Sequence, residues 1–171
     1  MKTEGAWEKA RINTEQIINT RNMIKKILHK FLGTEGHPNA MSFQNSIDLA
    51  GLPVVIFRQG DKKINLLLDT GSNNCIIDST FLKTIDHTML DQETQVSGLE
   101  GITQKAGVCT IKMSYKGKDY EYPYIVKDMH AVFNDIKEST GVAVHGMLGS
   151  KFFEEFKYVL DFDELIAYSK E

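Results

Sequence analysis

The sequence holds only two cysteines, Cys75 and Cys109, in 171 residues. That is too few for a disulfide framework, and their spacing forms no metal-type cluster, so two buried thiols are expected. The five histidines, at positions 29, 37, 87, 130 and 145, have no ligand-like spacing, and no His-Glu-x-x-His occurs, so no metal site is expected. Long apolar runs are missing too. The longest nearly uninterrupted one, residues 49–57, is far short of a bilayer span, which excludes a transmembrane helix as an expectation. The opening Met1-Lys2-Thr3-Glu4-Gly5 leads into charged residues rather than an apolar leader, so the expected location is cytoplasmic. Nor is there strong charge of one sign: a net charge of −3 argues against a nucleic-acid binder working by bulk electrostatics.

What is present is ordinary globular composition, 42% hydrophobic and 25% charged, enough to build a core and to exclude wholesale disorder. The charge is unevenly spread. Residues 1–40 carry seven Lys/Arg and four Asp/Glu, whereas the remainder carries thirteen against nineteen. This divides the chain into an N-terminal helical extension and linker, 1–40, and an acidic domain, 41–171. In the extension, Ile17, Ile24, Ile27, Leu28 and Phe31 recur at helical steps with no proline between residues 6 and 32. Gly33 is a stop signal, and Gly36-His37-Pro38-Asn39 is turn chemistry. Lys25, Lys26 and Lys30 are compatible with a membrane surface, but a helix docking on its own domain or on a second copy is the preferred reading.

After Pro53 the pattern becomes that of strands. Val54-Val55-Ile56-Phe57, a turn at Gln59-Gly60-Asp61-Lys62 and a second apolar run over 64–68 predict a hairpin. Asp78-Ser79 is placed to cap a short helix reaching Ile85. Residues 91–127 read as all-β. Within them Cys109, Ile111, Met113 and Tyr115 alternate with Val108, Thr110, Lys112 and Ser114, and Lys116-Gly117-Lys118 turns the chain. Tyr115, Tyr120, Tyr122 and Tyr124 are expected to pack on β-faces. A helix is expected over 131–139, a short one over 150–156, and a closing hairpin over 158–168.

One residue stands out chemically. Asp69 ends an apolar strand, Ile64-Asn65-Leu66-Leu67-Leu68, where a carboxylate is costly unless partners compensate it. Thr70 and Ser72 add hydroxyls that can donate to a carboxylate, and Gly71 leaves room for close backbone approach.

Leu67-Leu68-Asp69-Thr70-Gly71-Ser72 resembles the active-site motif of the aspartic proteases, two apolar residues followed by Asp-Thr-Gly-Ser/Ala. Met147-Leu148-Gly149 resembles the second signature of that clan, which lies shortly before a helix and supports the catalytic loop. The glycine-bearing hairpin tip Gly98-Leu99-Glu100-Gly101 lies between them in sequence, as the flap does in retropepsins. The resemblance covers roughly residues 53–169. It implies a mainly β, retropepsin-like closed β-barrel with the single-lobed acid-protease fold, a short C-terminal helix and an N-terminal helical extension.

It also implies chemistry. Two adjacent carboxylates share one proton, so one activates a water while the other protonates the scissile carbonyl of a polypeptide substrate. Only one Asp-Thr-Gly occurs. Asp161-Phe162-Asp163 and Asp78-Ser79-Thr80 do not repeat it, so the second Asp69 is expected from a homodimer partner. In this reading Asp69 is catalytic, Thr70 braces the paired loops, Gly71 permits their approach, and Ser72 bonds the carboxylate. Gly98, Leu99, Glu100 and Gly101 cover the substrate, and Met147, Leu148 and Gly149 buttress the loop. Water is the nucleophile, and neither a metal nor an organic cofactor is needed. The alternative is a non-catalytic peptide-binding or dimerisation module of the same fold. Residues 127–144 are longer than in viral retropepsins and are nearer to cellular and bacterial forms. The glycines of 141–146 match Walker spacing only by chance, since Met147 stands where lysine is required. His145 is expected to pack in a loop.

Overall fold

A computed structural model describes residues 20, 24, 37–97 and 103–170. The chain divides after Pro38 into two units, and the second, residues 39–171, holds all the described strands. The expected helix over 6–32 lies outside the described residues apart from Thr20 and Ile24, which are helical. Among the described residues no helix is long and apolar enough to cross a membrane.

The second unit is mainly β. Strand β1 is Met41–Ser42, β2 Val54–Gln59, β3 Lys62–Leu68, β4 Ile76–Asp78, β5 Thr88–Ser97, β6 Thr103–Tyr115, β7 Lys118–Lys127, β8 Gly146–Leu148, β9 Tyr158–Asp161 and β10 Ile166–Ser169. Four described helices intervene: α1 Gln44–Ala50, α2 Ser79–Leu82, α3 His130–Thr140 and α4 Ser150–Glu155. The larger sheet runs β2-β3-β8-β4-β7-β6-β5, and a further pairing of β2 with β6 closes six of these strands into a barrel. The smaller sheet has the order β1-β10-β9.

Alternation of side chains fixes the register of the barrel's longest hairpin. Cys109, Ile111 and Met113 stand opposite Tyr124, Tyr122 and Tyr120, and all six are buried. A one-residue slip would turn this whole set outward, so burial itself specifies the pairing. The two-residue turn between these strands has Lys116 at φ 47° and Gly117 at φ 83°, the left-handed pair that suits the twist of a tight hairpin. Phe152 of α4 plugs the barrel. It is fully buried, with its ring 4.7 Å from Phe156, 5.3 Å from Tyr122 and 5.9 Å from Tyr120. Emptying such a position costs about 3–5 kcal/mol.

Barrel closure is thin. β2 and β6 share a single residue pair, Arg58 and Ser114. Gln59 reinforces the seam, since its amide nitrogen donates to the carbonyls of Asp86 (2.9 Å) and Lys112 (2.8 Å). Its amide oxygen accepts from the Asp86 N–H at 2.7 Å.

Helix α2 is capped as its sequence suggests: Asp78 accepts from the Phe81 N–H at 2.9 Å. It stops at Leu82 rather than Ile85, and the N–H groups of Thr84 and Ile85 instead turn back to the carbonyls of Phe81 and Leu82. Strand β5 starts at Thr88, three residues before the expected all-β stretch.

Candidate active site

The loop that carries Asp69 joins two strands that are not neighbours. β3 leads into it and β4 leads out, and β8 lies between them, parallel to β3 and antiparallel to β4. In register, Met147 of β8 stands beside both Leu67 and Ile76. The two sequence signatures, Leu67 to Ser72 and Met147 to Gly149, are therefore adjacent in space although far apart in the chain.

Hydrogen bonds tie them together. The N–H of Asp69 donates to the Leu148 carbonyl at 2.9 Å, and the N–H of Ser150 donates to the Ser72 carbonyl at 2.7 Å. The N–H of Lys151 reaches the Asn73 carbonyl at 3.2 Å. Gly149 is a close-approach position. A Cβ there would stand 2.5 Å from the Asn74 carbonyl oxygen, so only glycine lets the two backbones meet. Gly146, at the other end of β8, is equally confined, because a Cβ would overlap the Ile76 carbonyl oxygen.

Within the loop, Asp69 is half-buried while Thr70 and Gly71 are exposed. One carboxylate oxygen of Asp69 accepts from the Gly71 N–H at 2.9 Å, and the Ser72 N–H closes a turn on the Asp69 carbonyl at 3.2 Å. A small residue at 71 suits this geometry, since a Cβ would press to 3.2 Å from that carboxylate oxygen. Ser72 departs from expectation. Its hydroxyl donates not to the carboxylate but to the Asn74 carbonyl at 2.8 Å, closing the loop on itself.

Asn73 and Asn74, which follow the Asp-Thr-Gly-Ser segment, meet the start of α4. The Ser150 hydroxyl lies 3.5 Å from the Asn73 amide oxygen, and the Lys151 ammonium donates to the Asn74 amide oxygen at 3.2 Å. No motif marks Ser150 and Lys151, because their role depends on a contact across 77 residues. Gly98, Leu99, Glu100 and Gly101 lie outside the described residues. The strands they connect, β5 and β6, pair antiparallel up to Ser97 opposite Thr103.

The remaining candidates are structural. Cys75 and Cys109 are buried and unpaired with each other. Burial pushes the Cys75 thiol up to about 12, opposed by an N–H bond from Gly149, and it pushes Cys109 up to about 11. Both thiols are poor nucleophiles in this state. His145 packs as expected, its ring stacked 3.8 Å from that of Phe81 and its Nδ1 accepting from the Asn65 N–H at 3.1 Å. Burial lowers its basicity; the Asp78 charge opposes this and the Lys137 charge adds to it. No family model matches the chain, and no curated protein matches its sequence.

Proposed function

We propose that this protein is a single-lobed, retropepsin-like aspartic endopeptidase, assembled as a homodimer so that two Asp69 carboxylates face each other. One observation carries the reading. An Asp-Thr-Gly-Ser loop between β3 and β4 is held by an inserted strand, β8, whose Leu148, together with Gly149 just after the strand, contacts the loop backbone directly. Such a loop presents a half-buried carboxylate on a rigid support, as a positioned general acid–base group requires.

The chemistry is proton sharing. Two carboxylates brought close together do not both ionise cheaply, so the pair holds one proton. The ionised member takes a proton from water as that water attacks the scissile carbonyl carbon, and the protonated member gives its proton to the carbonyl oxygen. Collapse of the tetrahedral adduct with protonation of the leaving nitrogen releases two peptides and restores the pair. Thr70 and Gly71, exposed beside Asp69, are the surfaces on which the second loop would rest.

The decisive experiment is Asp69→Asn, which keeps shape and removes the ionisable pair. Wild-type protein is expected to cleave members of a broad peptide library and to be inhibited by pepstatin; the variant, with an unchanged circular dichroism spectrum, is expected not to cleave. Undiminished turnover by the folded variant would refute the assignment.

A further inference from the structure

A groove lies at the other end of β8 from Asp69, between α2, α3 and the segment leading into β8. Its volume is about 230 Å³. That is below the roughly 300–1,000 Å³ of sites for drug-sized ligands, so its occupant must be small. Phe81, Phe133 and Val144 supply apolar lining. The polar lining is unusually rich in donors. His130, Asn134 and Lys137 follow one another at helical steps of four and three on α3 and all three line the groove. The His145 ring is committed to the β3 backbone: its Nδ1 accepts the Asn65 N–H, and the ring bonds the backbone of Lys63. The Asn134 amide spends one N–H on Glu138 and retains another.

The lining contains one carboxylate, Asp78, and it is already satisfied. Its two oxygens accept from the N–H groups of Phe81 and Met129, each at 2.9 Å. Among the described residues no carboxylate makes an ion pair with Lys137. The sum is one permanent cation, several neutral donors and one carboxylate whose oxygens are already hydrogen-bonded. This suits a monoanion; a dianion would meet the Asp78 charge with too little to offset it.

From this arrangement we infer that the groove binds a small carboxylic acid in its ionised form, the carboxylate on Lys137 and the Asn134 amide N–H, the apolar body against Phe81, Phe133 and Val144. The site does not depend on the peptidase reading.

Imidazole resonances of the full chain, followed by NMR during titration with sodium benzoate or sodium acetate at constant ionic strength, test it. Saturable shifts of His145 and His130 are expected, with benzoate bound more tightly than acetate. Lys137→Gln should weaken benzoate about tenfold, the loss of one charge-assisted hydrogen bond. Lys62→Gln, at the start of β3, should change nothing. Lys137 is exposed, so an unaltered melting temperature is expected to show the variant intact. Shifts that grow linearly with concentration, benzoate no tighter than acetate, or undiminished affinity in Lys137→Gln would each overturn the proposal.

Discussion

Gly149 and Asn74 meet backbone to backbone: a methyl group on the glycine would lie 2.5 Å from the asparagine carbonyl oxygen and 2.8 Å from its nitrogen. Neither atom belongs to a flexible side chain, so the clash is relieved only by moving the loop or β8. Gly149→Ala should therefore destabilise the fold by about 1–3 kcal/mol, the range for overpacking, and should depress peptide turnover beyond any loss of folded protein. Urea unfolding and turnover per folded molecule measure the two effects. An unchanged urea midpoint would show that the contact is not as close as described.

Ser72→Ala separates two roles for a hydroxyl beside the carboxylate. Because Ser72 donates to the Asn74 carbonyl, its loss should lower stability by about 0.5–1.5 kcal/mol. The dependence of rate on pH should stay where it is in the wild type, since the hydroxyl does not touch Asp69. A shift of both limbs toward higher pH would mean that the serine turns to the carboxylate in the working enzyme.

Activity of a site shared between two chains should fall faster than linearly on dilution. Sedimentation over the same concentrations should show the dimer dissociating as activity disappears. Constant specific activity in a demonstrated monomer would exclude the shared site.

The buried thiols make stability sensitive to alkaline pH. Their folded values, about 12 for Cys75 and about 11 for Cys109, lie above the ordinary 9.0. The unfolded chain therefore releases these protons first, and stability that is complete below pH 9.0 is lost as pH rises toward those folded values. Buried Tyr124, also raised, acts in the same sense above its ordinary 10.0. Urea midpoints measured on both sides of this boundary should fall with pH, and less steeply in Cys109→Val. Native protein should also resist thiol reagents until it is unfolded.

The sequence was most legible where local pattern and burial agree. Alternation at Cys109, Ile111 and Met113 predicts the strand whose inner face they form, and Asp78 announces the cap of α2 because that bond is made three residues away. Helix α1 was not legible. It follows Phe43, which provides no side-chain cap, and its place is set by Ser46. That hydroxyl lies 2.9 Å from the Phe43 carbonyl and accepts the Val54 N–H at 2.8 Å. A single buried serine thus anchors a segment whose composition signals little. At the candidate site, Asp69 and Gly71 could be singled out by their positions in the chain. The direction of Ser72, and the clamp of Asn73 and Asn74 on Ser150 and Lys151, depend on contacts that no local rule encodes.

The insertion of β8 also sets an order of events during synthesis. Leu66 pairs with Gly146, eighty positions later, and closing so long a loop costs entropy before any contact rewards it. A ribosome-bound chain that has emerged only as far as β7 has the Asp-Thr-Gly-Ser segment but neither the Leu148 carbonyl nor the Gly149 backbone that hold it. The carboxylate is made early and armed late, so in the proposed peptidase the growing chain would be shielded from its own chemistry until Leu148 and Gly149 take their places beside the loop.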